Sequence, residues 1–493
     1  MRNGVQLITY ADRLGTGGIA GLHRLLSGPL SGVFTGVHIL PFFEPFDGAD
    51  AGFDPIDHTR VDPRLGGWAD VTALAADHDV TADLIVNHIS DQSREFRDYR
   101  EQGEASRYAG LFLTFDKVFP NGADETDLAT IYRPRPGAPF TRVTLGDGSR
   151  PLMWTTFTER QIDIDVRDPA ARAYLGRILD RLAGAGISQV RLDAIGYAVK
   201  TPGTSCFMTP DTFELIDELS AEIHQRAMKA LVEIHGHHQQ QIEVASRVDR
   251  VYDFALPALV LHSLFTKSST ALRRWLEISP RNAVTVLDTH DGIGVVDVAG
   301  SGDRPGLLSD GQIDRLVEEI HLATSGESRQ ATGTAASNLD LYQVNTTYFS
   351  ALGHDEHRYL LARLIQFFSP GIPQVYYAGL LAAPNDMELL ARSGVGRDIN
   401  RPYYNDDDLA EELARPVVRR LGRLARFRNN HAAFGGGFTA AEPEPGRLSL
   451  QWTNGPHLAG AEINFNDMSF TVRWSTKGKT VIAGTWDDIP ALD

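Results

Sequence analysis

The chain has 493 residues, 42% of them hydrophobic and 9% aromatic, and no low-complexity tract. This excludes a disordered or fibrous protein and leaves material for a core larger than one ordinary domain needs. A formal net charge of −17 argues against nucleic acid or an anionic membrane as partner, because both require a basic surface. The N-terminal MRNGVQLITY lacks a basic region followed by a long apolar stretch, and no run of about eighteen apolar residues occurs anywhere. The single Cys206 cannot close an intramolecular disulfide, so the expectation is a cytoplasmic protein.

In chain order, strand-like runs recur at Val5–Thr9, Gly36–Pro41, Leu84–Asn87, Gln189–Asp193, Ala230–Glu233, Arg250–Phe254, Ala283–Asp288 and Ile372–Tyr377. Amphipathic stretches such as Pro169–Gly184 and Thr212–Arg226 alternate with them, which predicts an α/β chain folded as a parallel (β/α)8 TIM barrel. Two gaps are too long for ordinary strand-to-helix loops. Ile89–Phe157 is rich in charge, Gly and Pro, and Gly292–Phe349 reads as polar and loop-like, so each is expected to form a lid over the barrel mouth. After Gly435 the alternation in RLSLQW, AEINFN and FTVRWS predicts a small antiparallel β domain. The expected division is a barrel over 1–88, 158–291 and 350–434, insertions over 89–157 and 292–349, and a C-terminal domain over 435–493.

Several signals have ordinary readings. Gly15 to Gly18 in LGTGGIAGL resembles a phosphate-cradling loop, but no acidic residue follows with dinucleotide spacing, so a turn before the first helix is expected. His235, His237 and His238 match no closed zinc spacing, and no metal is expected. Cys206 has no neighbours that would activate a thiol. The Asn345-Thr346-Thr347 sequon goes unused if the chain is not secreted.

Three acidic residues each sit at the end of a short apolar run: Asp193 in VRLDAIGY, Glu233 in ALVEIHG and Asp291 in TVLDTHD. In a parallel barrel the carboxyl ends of the strands are where reactive groups gather. Three such carboxylates, with Asn87-His88 ending an earlier strand, fit glycoside chemistry: a nucleophile, an acid/base, and a charge to stabilise an oxocarbenium-like transition state. Arg191 lies two residues before Asp193 on the same strand face, where it is expected to keep that carboxyl ionised.

These four segments resemble the signature regions of glycoside hydrolase family 13, the α-amylase superfamily. NGVQLITYADRLG, GVHILPFFEPFDGADAGFDPIDH, IYRPRPGAPF, GTSCFMTP, SNLDLYQVN and GRDINRPYY are similar to the sucrose phosphorylase branch of that family, from the N-terminus to about residue 404. The resemblance implies Asp193 as the nucleophile, Glu233 as the acid/base with a raised pKa, and Asp291 as the third carboxylate, acting by double displacement with retention. It implies that His88 and His290 hold glucosyl hydroxyls, that Asp50 and Arg397 close the far end of the glucose pocket, and that Phe53 and Tyr197 form apolar walls. The long insertions correspond to the family's domains B and B′.

For the acceptor the resemblance implies Arg135, with Arg133 as a competing choice, together with Tyr132, His235, Asp340, Tyr342 and Gln343, on a loop that shifts between fructose and phosphate. The expected reaction is reversible phosphorolysis of sucrose by phosphate to α-D-glucose 1-phosphate and fructose, with transglucosylation as a side activity and no cofactor. Related phosphorylases of glucosylglycerol, glucosylglycerate or sucrose 6′-phosphate, and a retaining α-glucosidase, are the alternatives. A homodimer is left open.

Overall fold

The computed structural model describes residues 2–45, 51–134, 137–332, 342–476 and 478–492. Eight short parallel strands close a barrel: β1 (Gln6–Thr9), β2 (Gly36–Ile39), β3 (Asp79–Ile85), β4 (Gln189–Asp193), β5 (Lys229–Val232), β6 (Arg250–Asp253), β7 (Ala283–Thr285) and β8 (Ile372–Tyr376). β1 closes the ring by pairing on both sides, Gln6 with Gly36 and with Gln374. All eight predicted strands are present, seven close to their expected bounds, while β3 runs over Asp79–Ile85 where Leu84–Asn87 was expected.

Strands buried on both faces read as near-continuous apolar runs, which is why they were visible. Their inward faces are not uniformly apolar, however. Gln6, Thr81, Asp83, Gln189, Arg191 and Gln374 are all buried inside the barrel. The Tyr252 hydroxyl bonds Gln374 and the ring of His38, and His38 Nε2 lies 3.0 Å from Asp83. A ladder of hydrogen bonds therefore runs up the barrel axis toward the mouth.

The first long gap contains helices Arg94–Gln102 and Glu125–Thr130 and a hairpin pairing Phe140–Arg142 with Leu152–Trp154. It is anchored where His88–Ser90 pairs antiparallel with Gln161–Asp163. Beneath that anchor the ammonium of buried Lys200 bonds Asn87 Oδ1 at 3.0 Å and Asp163 Oδ2 at 2.9 Å, while Asp163 also accepts from Asn87 Nδ2 and the Thr156 amide. The second gap is not loop-like. It holds the helices Asp310–Ala323 and Glu327–Thr332, the first started by a capping box between Ser309 and Gln312 and seated on Leu316 and Ile320. Many exposed charges on that helix masked its apolar stripe.

The C-terminal unit is a five-stranded antiparallel meander: β9 (Gly437–Ala441), β10 (Arg447–Asn454), β11 (His457–Asn464), β12 (Ser469–Thr476) and β13 (Lys479–Ala483). Its alternating inward residues, among them Leu450, Trp452, Ile463 and Val472, are buried. Trp452 Nε1 donates to the Phe368 carbonyl at 2.7 Å, and Trp474 meets Phe427 edge to face, which ties the sheet to the barrel's outer helices. No helix among the described residues is long and apolar enough to cross a membrane.

Candidate active site

The carboxyl ends of the strands surround a cavity of about 700 Å³ lined by Phe53, His88, Asp193, Tyr197, Glu233, His235, His290, Asp291, Tyr342, Gln343 and Arg397, among others. Asp193 is the last residue of β4, and Glu233 follows directly after β5. Asp291 lies farther out. The apolar run of its segment ends at Asp288, which is buried against Arg363 at 2.6 Å, and Asp291 stands in the loop beyond. That loop is held from below: Asn400 Nδ2 donates to the Asp291 carbonyl at 2.8 Å, and Arg401 Nε to the His290 carbonyl at 3.0 Å.

One guanidinium organises the floor. Arg191 Nη1 donates to Asp193 Oδ1 at 2.8 Å and to Asp83 Oδ1 at 2.5 Å, while its Nη2 lies 3.0 Å from Glu233 Oε1. The cause is register, since Arg191 is paired with Asp83 across β4 and β3. Burial works to raise the Asp83 carboxyl, but His38 and Arg191 outweigh it and bring it down to about 2. Asp193 behaves differently. Its burial raises the carboxyl well above the usual aspartate range, with Glu233 adding to the rise, and Arg191 opposes this without prevailing. The expectation that Arg191 keeps Asp193 ionised is therefore corrected: Arg191 is shared among three acids and does not offset the burial of Asp193.

Asp291 has its own cation. Arg397 Nη1 lies 2.6 Å from Asp291 Oδ1. Burial alone would raise the Asp291 carboxyl, but Arg397 above all, with His235, holds it far below the usual range. The neighbouring Asp398 faces Arg401, at 3.6 Å. Burial keeps His290 neutral, and its ring stacks on Phe53 at 4.8 Å with the planes 9° apart. His88 Nε2 donates to the Phe53 carbonyl at 3.0 Å, so the two histidines and Phe53 form one wall.

Tyr132 stacks on Tyr197 with ring centroids 5.9 Å apart, and both meet Phe207. Gln343 Oε1 accepts from the Gly292 amide at 3.0 Å, tying the second insertion to the residue after Asp291. His235 stacks on Phe254 at 3.9 Å and meets the Tyr342 ring edge-on. Arg133 donates to the Gly137 carbonyl at 3.2 Å. Asp50, Arg135 and Asp340 lie outside the described residues.

The glycine loop is closed by the chain's own carboxylate, with the Thr16 amide 2.7 Å from Asp406 Oδ1. Gly15, Gly17 and Gly18 all have positive φ there, a backbone that favours glycine. His237 turns to the Pro305 carbonyl, away from His235. Cys206 is packed among Leu113, Val118, Phe119 and Trp154, and burial pushes its thiol up. Residues that sequence reasoning missed include Asp83, Asp297 and Arg401. Asp83 was detectable in principle from its two-residue spacing to Ile85 on a barrel strand.

A closed parallel barrel with acidic side chains gathered at its carboxyl mouth and a C-terminal antiparallel sheet defines an α-amylase-type enzyme. The alpha-amylase catalytic-domain model matches residues 15–286, and the chain belongs to that family. It is 58% identical to a sucrose phosphorylase of Agrobacterium vitis over 96% of this chain and 97% of that one, and 54% identical to a sucrose phosphorylase of Bifidobacterium adolescentis over 92% and 90%. Among solved structures it is similar to sucrose 6F-phosphate phosphorylase from Thermoanaerobacter thermosaccharolyticum, with a TM-score of 0.90, 35% identity and 98% of each chain covered.

Proposed function

We propose that this enzyme transfers the glucosyl unit of sucrose reversibly to phosphate, releasing fructose and forming α-D-glucose 1-phosphate with retention. The observation that carries the reading is the bridging of Asp193 and Glu233 by one guanidinium in a cavity closed by Asp291 and Arg397. Two carboxyls gripped by a single planar group fit the short separation of about 5–5.5 Å that double displacement needs.

In the forward direction Glu233 gives its proton to the glycosidic oxygen, the bond from that oxygen to the anomeric carbon breaks, and Asp193 forms the glucosyl ester as fructose leaves. A phosphate oxygen then attacks the same carbon, its proton passes to Glu233, and the ester bond to Asp193 breaks. Asp291, held anionic by Arg397, faces the positive charge that develops in both steps. Phe53, His88, His290 and Tyr197 line the glucosyl pocket, which Asp50 closes together with Arg397. Tyr132, Arg135, His235, Asp340, Tyr342 and Gln343 form the acceptor side, with Arg135 as the principal phosphate contact. The segments 89–157 and 292–349 act as the two insertions over a barrel of 1–88, 158–291 and 350–434, and 435–493 forms the C-terminal domain. No cofactor takes part, and the cytoplasm is the compartment we assign.

The test is a product assay with purified protein on sucrose with and without phosphate. Phosphate-dependent formation of fructose and glucose 1-phosphate is expected. Equal release of free glucose in both conditions would make the enzyme an α-glucosidase and overturn the reading.

A further inference from the structure

Asp297 belongs to none of the groups assigned so far, yet it is fully buried and aimed at the acceptor side. Its Oδ1 accepts from the Gly236 amide at 3.1 Å and from Gln241 Nε2 at 3.2 Å, and its Oδ2 lies 3.1 Å from His235 Nδ1. A carboxylate with these partners only accepts, so Nδ1 must be the donor and carries a proton. The approach depends on Gly294, where a Cβ would stand 2.2 Å from Asp297 Oδ2. Phe254 and Tyr342 fix the ring plane. The other ring nitrogen, Nε2, is buried and has no hydrogen-bond partner among the described residues; Glu233 Oε1 is 3.8 Å away, too far to accept from it. Because His235 lines the cavity, this leaves an oriented donor facing the space next to the acid/base.

We infer that Asp297 is a positioning residue that holds His235 as an imidazolium, so that Nε2–H is a charge-assisted donor to an oxygen of the incoming phosphate. The inference rests on the proposed transfer to phosphate. The acids facing His235 are Asp297, Glu233 and Asp291, and together they hold its pKa above the ordinary imidazole value although burial opposes them. The neighbouring cations are engaged elsewhere, Arg191 with Asp83, Asp193 and Glu233, and Arg397 with Asp291.

The test is Asp297→Asn, assayed for the phosphate KM across a range of pH, with free glucose measured beside glucose 1-phosphate. At neutral pH the KM should rise about tenfold, because a neutral donor replaces a charged one, and a larger share of glucosyl units should pass to water. The ratio of variant to parent KM should fall toward one at alkaline pH, where His235 is neutral in both proteins; the titration of phosphate itself cancels in that ratio. A ratio independent of pH, or an unchanged KM, would overturn the inference.

Nitrogen NMR of histidine-labelled parent enzyme gives a second measurement that needs no folded Asp297→Asn protein. The resonances lost in His235→Asn should show both ring nitrogens protonated at neutral pH, and a neutral ring would refute the role of Asp297. A parent that formed no glucose 1-phosphate would instead refute the phosphorolysis, whatever charge the NMR assigned to His235.

Discussion

Replacing Arg363 with Met tests whether the buried pair behind the third carboxylate holds the reactive loop in place. Arg363 is fully buried and donates to Asp288 Oδ2 at 2.6 Å, to the Tyr359 hydroxyl at 2.7 Å and to Gln366 Oε1 at 2.8 Å. Asp288 in turn is 3.4 Å from the Tyr376 amide, so the pair joins the end of β7, the start of the loop to Asp291, and β8. Breaking a buried pair from one side costs about 3–5 kcal/mol, because the remaining charge is left without a partner. Protonation limits that loss. Burial already pushes the Asp288 carboxyl above its ordinary value, with Arg363 opposing, and without the guanidinium it rises further.

The sign follows from linkage. A folded-state pKa raised above the unfolded value of 3.8 gives stability that is present in acid and lost as pH climbs through the folded value. The deficit of Arg363→Met should therefore be smallest near pH 3.8 and largest at neutral pH. Urea unfolding followed by tryptophan fluorescence at several pH values would measure it, and the double variant Asp288→Asn, Arg363→Met should recover roughly half of the loss or more. A cost below about 1 kcal/mol at neutral pH, or a double variant no better than the single one, would refute the reasoning. Gly379→Ala should reproduce the defect sterically, since its Cβ would lie 2.0 Å from Arg363 Nη2 and 2.1 Å from Asp288 Oδ2.

Asp193→Ala and Glu233→Gln should each abolish phosphorolysis while circular dichroism shows a retained fold; near-parental turnover by either would remove that residue from its role. Arg135→Ala should raise the phosphate KM by about tenfold or more, the loss of a charge-assisted hydrogen bond worth about 1.5–3 kcal/mol, and an unchanged KM would turn attention to Arg133. Stability should fall as pH drops below 6.5, because burial and the neighbouring His88 lower His58 from 6.5 to about 3. The unfolded chain then binds the extra proton first, so the loss accumulates from 6.5 down to about 3. His58→Gln should flatten that limb in pH-dependent urea titrations, and an unaltered limb would exclude His58 as its source.

The barrel was legible because its strands are short apolar runs, and apolar runs survive translation into a one-dimensional reading. The helix Asp310–Ala323 was missed for the complementary reason: its buried contacts are sparse, and DGQIDRLVEEIHLA looks polar unless Leu316 and Ile320 are placed on one stripe. The candidate site divides in the same way. Asp193 and Glu233 mark strand ends and could be picked out directly. Asp297 could not, because it meets His235 across 62 residues of chain through a short turn with no motif of its own. Likewise the sharing of Arg191 among three acids depends on the pairing of β3 with β4, a property of the closed barrel and of neither strand alone.

That sharing bears on the order of the proposed reaction. Asp83, Asp193, Glu233 and Asp291 face two guanidinium groups, Arg191 and Arg397, so the floor of the cavity is negative even with Glu233 in the acid form that the proposed first step requires. A phosphate dianion approaching this floor is repelled, and the overall charge of −17 adds to the barrier. Ester formation at Asp193 moves the charge of the floor without changing its sum. It converts one carboxylate to a neutral acyl group and frees part of Arg191 for Glu233, which has just given up its proton. The remaining negative charge thus sits on Glu233, the base that takes the proton of the incoming phosphate. In Glu233→Gln, which has no carboxyl to deprotonate at that position, the ester removes one negative charge outright, so phosphate should bind the glucosyl form of this variant more tightly than its free form. Equilibrium binding to free Glu233→Gln, compared with the same variant carrying a trapped glucosyl ester, would measure the difference, and equal affinity would refute the electrostatic argument.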